Sequence, residues 1–406
     1  MAAIHETSGG VTYPRGFVAS GIHAGFKKNK KDLALIYSAT PCAAAGVFTT
    51  NVVQAAPLLV TKEHLEAGTV KAVVVNSGQA NACTGTRGLE VARRIAELTA
   101  AQLKISPPEV LVASTGVIGE APDLDLTEKG LLLAREELSP RGGSSAAEAI
   151  MTTDTHPKEA GVEFTLNGVP VRLGAMAKGS GMIHPNMATL LGFVTTDAAI
   201  SQGLLQKALR QAINDTLNMV SIDGDTSTND MVLLLANGLA QNAAVTTEGP
   251  DYQEFLEALT YVLTKLARMI AADGEGATKL IEVRVQGAPG PEQARLIARS
   301  ITTSNLVKTA VFGCDANWGR ILCAAGYSGA QFNPSLAEVA LISPAGKEVM
   351  AIEGAGLSFD EVKAREILEQ KEIQILLDLH QGPGNAVAWT CDFSYEYVRI
   401  NADYRT

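Results

Sequence analysis

Short apolar runs alternate along this chain with stretches of helical spacing, and polar loops punctuated by glycine separate them. Residues 70–75 form a valine-rich run that predicts a buried strand, with Asn76-Ser77-Gly78-Gln79-Ala80-Asn81 as the loop after it. Over residues 88–103, Leu89, Val91, Ile95 and Leu98 fall on one side of a helical period. Residues 109–113 predict a second short strand, and Ser114-Thr115-Gly116-Val117-Ile118-Gly119 a loop following it. A helix is expected over residues 126–138. Ser145-Ala146-Ala147-Glu148 has the spacing of a capping box, so a further helix should start there and carry Thr152 and Thr153 in its last turn.

The alternation continues to the C-terminus. Residues 190–195 predict a strand, residues 201–219 an amphipathic helix with Ser201 at its start, and Met231–Ala236 a buried strand. The longest helical segment, residues 251–272, carries an apolar stripe of Phe255, Leu256, Leu259, Leu263, Leu266 and Ile270. It should stop at Asp273-Gly274-Glu275-Gly276, where two glycines permit a left-handed turn. Residues 311–325 contain the compact segment Phe312-Gly313-Cys314-Asp315-Ala316-Asn317-Trp318-Gly319-Arg320. No tandem repeat is visible. The pattern is that of a mixed α/β chain, and it does not order the strands within their sheets.

Composition narrows the function classes. With 406 residues and 46% apolar content the chain can build two domains or one large one. A net charge of −10 argues against a general nucleic-acid binder, which would present a basic face, but leaves room for a local pocket for an anion. No apolar run reaches the roughly 18 residues of a membrane span. The start, Met1-Ala2-Ala3-Ile4-His5-Glu6, lacks the basic-then-apolar pattern of a secretory signal. Cys42, Cys83, Cys314, Cys323 and Cys391 lie far apart without a CxxC pair, so reduced thiols in a cytoplasmic protein are expected, and no metal site.

One stretch offers a complete catalytic group. A polar loop running from Lys178-Gly179-Ser180-Gly181 ends at Thr189, where an apolar strand begins. Taken alone, Met187-Ala188-Thr189-Leu190 is an ordinary strand entry. If the Ala188–Thr189 bond breaks, however, Thr189 gains a free α-amine beside its own hydroxyl, so one residue supplies nucleophile and base. Such an amine titrates near about 7.7–8.0, suited to accepting a proton at neutral pH. Gly179, Gly181 and Pro185 are compatible with a constrained loop that presses the hydroxyl onto the Ala188 carbonyl. Acyl chemistry also needs donors for an oxyanion, and Ser114-Thr115-Gly116 could offer a hydroxyl and a backbone N–H.

Other signals are weaker. Asp223-Gly224-Asp225-Thr226-Ser227-Thr228-Asn229-Asp230 invites a calcium reading, but Thr228 stands where an EF-hand needs glycine and Leu234 where it needs glutamate, so a hydrogen-bonded turn is expected. His5, His23, His64, His156, His184 and His380 neighbour no nucleophile signature. Gly179-Ser180-Gly181 does not continue into a dinucleotide fingerprint, and no phosphate-binding Walker loop occurs. On composition alone Lys178 reads as a solvated loop lysine.

Together these residues resemble the bifunctional ornithine acetyltransferase/glutamate N-acetyltransferase family of arginine biosynthesis. The resemblance runs nearly end to end. It rests on Gly16-Phe17 and Gly21, Asp32-Leu33-Ala34-Leu35-Ile36, Asn76-Ser77-Gly78, Asn81-Ala82-Cys83-Thr84-Gly85 and Ser114-Thr115-Gly116-Val117-Ile118-Gly119. Met151-Thr152-Thr153-Asp154-Thr155, the segment Lys178 to Leu191, Asp223 to Asp230, Gly274-Glu275-Gly276-Ala277-Thr278-Lys279 and Ile400-Asn401-Ala402-Asp403-Tyr404-Arg405-Thr406 complete it. Two departures, Ala316 in place of a common proline and Thr390 in place of a frequent glycine, fall on none of the positions carried over.

The resemblance implies a self-cleaved, N-terminal-nucleophile-type α/β (α+β) enzyme of the ornithine acetyltransferase/DmpA-like fold, with mixed β-sheets layered with helices. Cleavage at Ala188–Thr189 would give an alpha chain, 1–188, and a beta chain, 189–406, intertwined in one catalytic unit and assembled as two of each. Thr189 would be the nucleophile, Thr115 and Gly116 the oxyanion pair, and Thr152, Lys178, Thr189, Glu275, Asn401 and Thr406 the substrate-binding residues. The implied reaction moves an acetyl group from N2-acetyl-L-ornithine to L-glutamate without a cofactor. Some family members also take acetyl-CoA as donor, and the sequence leaves that choice open. A rival, a self-activated amidohydrolase or aminopeptidase, would share the nucleophile and differ only in using water as acceptor.

Overall fold

A computed structural model describes residues 4–184 and 190–403; Ala188, Thr189 and Thr406 therefore lie outside the described residues. Strands and helices alternate as the pattern predicts, in a mixed α/β architecture of two sheets layered with helices. The first sheet holds β1 (His5–Thr7), β2 (Phe17–Ile22), β3 (Leu33–Phe48), β4 (Val70–Gln79), β5 (Val110–Val117), β6 (Lys158–Leu166), β7 (Val169–Lys178), β8 (Leu191–Thr196) and β9 (Met231–Ala236). Its order is β1-β6-β7-β8-β9-β3-β4-β5, with β2 pairing residues 33–38 of β3 on the edge away from β4. The second sheet, β10 (Leu280–Ala288), β11 (Glu338–Ser343), β12 (Gly346–Ile352), β13 (Ala355–Gly356), β14 (Glu372–Asp378) and β15 (Gly384–Cys391), runs β13-β12-β11-β14-β10-β15.

The long strand β3 joins the two halves of the first sheet. Residues 33–37 pair antiparallel with β4, and residues 43–48 pair antiparallel with β9, with a register break between them. Strand β8 sits between β7, antiparallel, and β9, parallel. Both β8 and β9 are buried at every position, as expected of central strands covered on two faces; β9 is apolar throughout, while β8 ends in Thr195 and Thr196, whose hydroxyls donate to the Val11 and Arg172 carbonyls.

Helices α1 (Ala56–Ala67), α2 (Gly85–Leu103) and α3 (Leu124–Glu136) pack around the β2–β5 half, and α4 (Gly143–Ala149) against β2 and β3. Helix α5 (Gln202–Asn214) and the long α6 (Pro250–Ala272) cover the other half. Phe255, Leu259, Leu263, Leu266 and Ile270 of α6 are fully buried in the main core, whereas Leu256 is only partly covered. Truncating one of the buried leucines to alanine would cost about 2–5 kcal/mol. Helix α6 also touches β10 and β15, so it links the two sheets. The remaining helices are α7 (Pro291–Thr303), α8 (Asn305–Phe312), α9 (Trp318–Gly326), α10 (Glu361–Leu368) and α11 (Tyr395–Asp403). Among the described residues no helix is long and apolar enough to cross a membrane.

Three expectations need correcting. The segments read as loops after residues 75 and 113 begin as strand, over 76–79 and 114–117, and only then become loop: β4 and β5 continue in parallel register through Ser77–Thr115 and Gly78–Gly116 before their pairing becomes irregular at Gln79. Polar residues are tolerated there because side chains bond to backbone, as Ser77 Oγ does to the Ala149 carbonyl at 2.5 Å. Helix α4 starts at Gly143 behind Gly142, so Ser145 lies inside it, and the helix ends before Thr152. The predicted helix 201–219 stops at Asn214, and a separate 3-10 turn follows at Leu217–Met219.

Candidate active site

The ends of four elements meet at one cleft enclosing about 220 Å³, and Thr115, Gly116, Thr152, Lys178, Glu275 and Asn401 all line it. Thr115 and Gly116 come from the end of β5, Lys178 from the end of β7, Glu275 from the turn after α6, and Asn401 from α11. Thr152 follows α4. The described flanks of the Ala188–Thr189 junction border the same cleft through Ile183 and Leu190. Thus the residues singled out from distant motifs converge, apart from Ala188, Thr189 and Thr406, which are not among those described.

Backbone geometry explains Gly116. Its φ is +128°, and a Cβ there would stand 2.2 Å from the Gly78 carbonyl carbon. Only glycine allows β5 to pass so close to β4 in that conformation. The flanking strand end is fixed by side chains: Ser114 Oγ donates to Asn76 Oδ1 at 2.5 Å, and Asn229 Nδ2 donates to the carbonyls of Ser114 and Ala80 at 2.8 and 2.6 Å.

Lys178 is no solvated loop lysine. It ends a strand, its side chain is 10% exposed, and its Nζ lies 3.9 Å from Asp154 Oδ2. A buried ion cluster stands behind it. Lys158, wholly inaccessible, donates to Asp154 Oδ1 at 2.7 Å and to Asp273 Oδ2 at 2.6 Å. Asp154 also accepts from the backbone N–H groups of Gly179 at 2.7 Å and Thr152 at 3.0 Å. Burial would raise the Asp154 pKa, but Lys178, Lys158 and the Thr152 N–H more than offset it and hold the carboxyl well below the usual range. One cluster therefore locks three cleft-bearing segments: the Thr152 turn, the end of β7 and the end of α6. Lys27 adds a further brace, donating to the Met151 carbonyl at 2.6 Å, and burial pulls its own pKa down to about 8.

On the opposite side, Glu275 is buried and its Oε2 accepts from Asn401 Nδ2 at 2.7 Å. Its backbone N–H donates to the Ser180 carbonyl at 2.8 Å, so the loop after β7 and the turn after α6 are zipped together. Gly181 leaves room for that carboxylate: a Cβ there would stand 2.4 Å from the Glu275 carboxyl carbon and displace it. The Asp223-to-Asp230 segment is a hydrogen-bonded turn leading into β9, and its carboxylate does structural work. Asp223 accepts from the N–H groups of Met182 and Ile183 at 2.6 and 2.9 Å, and Tyr397 faces the same carboxylate. Burial, then the charges of Asp223 and Glu275, push the Tyr397 hydroxyl pKa upward.

Sequence reasoning took Asp223 and Asp230 for parts of a turn and passed over Tyr397; all three line the cleft. The available signal was the polar density of residues 223–230, which a turn explains equally well.

Chemically, the cleft offers a cation and an anion facing a common space, with a glycine N–H and a threonine hydroxyl at a strand end. That arrangement suits a small zwitterion whose carbonyl needs polarising.

A family model described as the ArgJ family matches residues 18–406. The arginine biosynthesis bifunctional protein ArgJ of Symbiobacterium thermophilum is 54% identical over 402 residues, covering 98% of this chain and 99% of that protein. The protein of the same name from Bacillus subtilis is 50% identical over 404 residues, covering 99% and 98%. Among solved structures, ArgJ from Bacillus halodurans shares 48% identity over 52% of this chain and 98% of that one, with a TM-score of 0.49. The ornithine acetyltransferase of Mycobacterium tuberculosis, complexed with ornithine, shares 41% identity over 46% of this chain and 100% of that one, with a TM-score of 0.43. With relatives about half identical from end to end and a family model spanning nearly every residue, this chain belongs to the ArgJ family.

Proposed function

We propose that this chain is a bifunctional enzyme of arginine biosynthesis that transfers the acetyl group of N2-acetyl-L-ornithine to L-glutamate. The observation that carries the reading is convergence. In a chain of this family, Thr115, Gly116, Thr152 and Lys178 from before the Ala188–Thr189 bond share one cleft with Glu275 and Asn401 from after it. In this reading the bond is cut by the chain itself, and Thr189 becomes the nucleophile with its own amine as base.

The reaction then runs in two halves. Thr189 Oγ attacks the acetyl carbonyl, the Thr115 hydroxyl and Gly116 N–H take up the oxyanion, and ornithine leaves with the amine's proton. Glutamate enters, its α-amine attacks acetyl-Thr189, and N-acetylglutamate departs. Lys178 pairs with the α-carboxylate common to both amino acids, and Glu275 with the ornithine ammonium. Thr152, Asn401 and Thr406 complete the substrate contacts. No cofactor takes part; acetyl-CoA serves as a second donor if the chain acetylates glutamate without acetylornithine. The cut chains stay together, two of each, in the cytoplasm.

The test is direct. Ornithine release from acetylornithine should depend on glutamate, and a peptide bearing acetyl-Thr189 should be trapped when glutamate is withheld. Thr189→Ala should stay one chain on a denaturing gel and exchange no acetyl group. Release indifferent to glutamate would instead favour the hydrolase.

A further inference from the structure

Lys308 lies in α8, does not line the cleft, and takes no part in the roles above. It is 1% exposed, yet among the described residues no carboxylate pairs with it. Its Nζ donates instead to the Ile222 carbonyl at 2.5 Å and to Thr390 Oγ1 at 2.8 Å, with Cys391 Sγ at 3.8 Å. It also stands 5.5 Å from the centre of the Phe393 ring. A buried ammonium without a countercharge is costly, since neutral acceptors replace only part of its lost hydration. An apolar side chain of similar length would avoid that cost, so the contacts that Lys308 makes call for a reason.

Those contacts reach one end of the cleft from behind. Ile222 shares a peptide group with Asp223, whose carboxylate faces the Tyr397 hydroxyl at 3.4 Å. The Tyr397 ring lies against the Phe393 ring, centres 4.5 Å apart, and Phe393 in turn faces Lys308. These contacts close a circuit at the root of α11. No residue of α11 is buried, so a few ties set where the helix lies. Helix α8 supplies another of them, with Phe312 edge-on to Tyr395 at 5.6 Å. Ser394 Oγ donates to the Gly276 carbonyl at 2.5 Å, and a Cβ on Gly276 would stand 2.5 Å from the Tyr397 nitrogen. The root of α11 is thereby set against the turn that carries Glu275, and further along the helix Asn401 holds the Glu275 carboxylate.

We propose that Lys308 is a positioning residue for recognition of the acetylornithine side chain. From behind the cleft it sets the Asp223 turn and α11, and through them the Asn401–Glu275 pair that meets the substrate ammonium. This rests on the acetyl-transfer reading above and extends it to a residue that touches no substrate. Removing the amine leaves the Ile222 carbonyl without its donor and the Phe393 ring without its cation. Helix α11 then loses part of its seat, while the strand ladders of both sheets keep their own hydrogen bonds. A lysine that served stability alone would change only how much enzyme is folded, lowering kcat at constant KM.

The full-length enzyme can be assayed with acetylornithine and glutamate varied in turn, and titrated with ornithine by calorimetry. Lys308→Met keeps a side chain of similar length without the amine. It should raise KM for acetylornithine and Kd for ornithine at least about 10-fold, the scale of one misplaced charge-assisted hydrogen bond. KM for glutamate and kcat should stay within about threefold of wild type. A folded Lys308→Met whose KM and Kd match wild type, or whose only defect is a lower kcat, overturns the Lys308 assignment and leaves the acetyl-transfer reading standing. Wild-type enzyme that neither binds ornithine nor transfers acetyl overturns that reading, and this proposal with it. If Lys308→Met fails to fold, Phe393→Leu decides, because it removes the ring between Lys308 and Tyr397 and leaves the buried amine in place. A Kd for ornithine raised at least about threefold, the scale of one aromatic contact, supports the proposal, and a smaller change overturns it.

Discussion

Lys178 and Glu275 bring opposite charges into one small cleft, and their different partners give them different consequences for the two substrates. Charge-assisted hydrogen bonds contribute about 1.5–3 kcal/mol, or roughly 10- to 100-fold in binding. Lys178→Met should therefore raise KM for both acetylornithine and glutamate by that order, because each carries an α-carboxylate. Glu275→Gln should raise KM for acetylornithine and lower it for glutamate, whose side chain would no longer meet a like charge. Steady-state kinetics with each substrate varied in turn would read this; equal shifts in one direction would remove Glu275 from side-chain recognition. At this scale the sequence was informative where a motif carried chemistry, as at Thr115, Gly116 and Glu275. It showed Asp230 only as the end of a polar turn, because burial, and an Oδ2 without a hydrogen-bond partner among the described residues, are properties of the packed interior that an eight-residue polar run does not display.

Between residues and the molecule stand the segments that the buried Lys158 holds in place. Lys158 bridges Asp154 and Asp273 in the buried interior, and removing one partner of such a cluster costs about 3–5 kcal/mol. Lys158→Met should lower the urea midpoint accordingly and also depress acetyl transfer, since the Thr152 turn, the end of β7 and the turn after α6 lose their common tie. Because the native Asp154 pKa is depressed, its stabilisation is full above the unfolded carboxylate value of about 3.9 and is lost as pH falls through the native value. Lys158→Met should thus unfold at a higher pH than wild type in an acid titration followed by circular dichroism; an unchanged acid midpoint would contradict the account. Element types were legible wherever apolar periodicity was strong, and Met231–Ala236 appears with the bounds expected. The ends of β4 and β5 were misread because their polar residues look like a loop until the two strands are seen to pair. Lys158 escaped notice for a related reason: a lysine in sequence looks solvated, and only the convergence of two distant aspartates shows otherwise.

On the scale of the whole chain, the first two strands that follow residue 189 are inserted into the sheet built by the residues before it. β8 and β9 lie between β7 and β3, both of which precede the Ala188–Thr189 bond, and every strand of the second sheet comes after it. Strand order could not be read from hydrophobic pattern, since a fully apolar strand fits any central position. A chain cut once at that point would hold its pieces by main-chain hydrogen bonds along both flanks of the insertion. Undoing and remaking such a molecule is then a meeting of partners rather than a private rearrangement. The yield of native protein after dilution from urea should climb with concentration more steeply for the nicked enzyme than for uncut Thr189→Ala. Maturation would in that sense be irreversible in practice: each copy assembles as one continuous thread and thereafter survives by never coming apart.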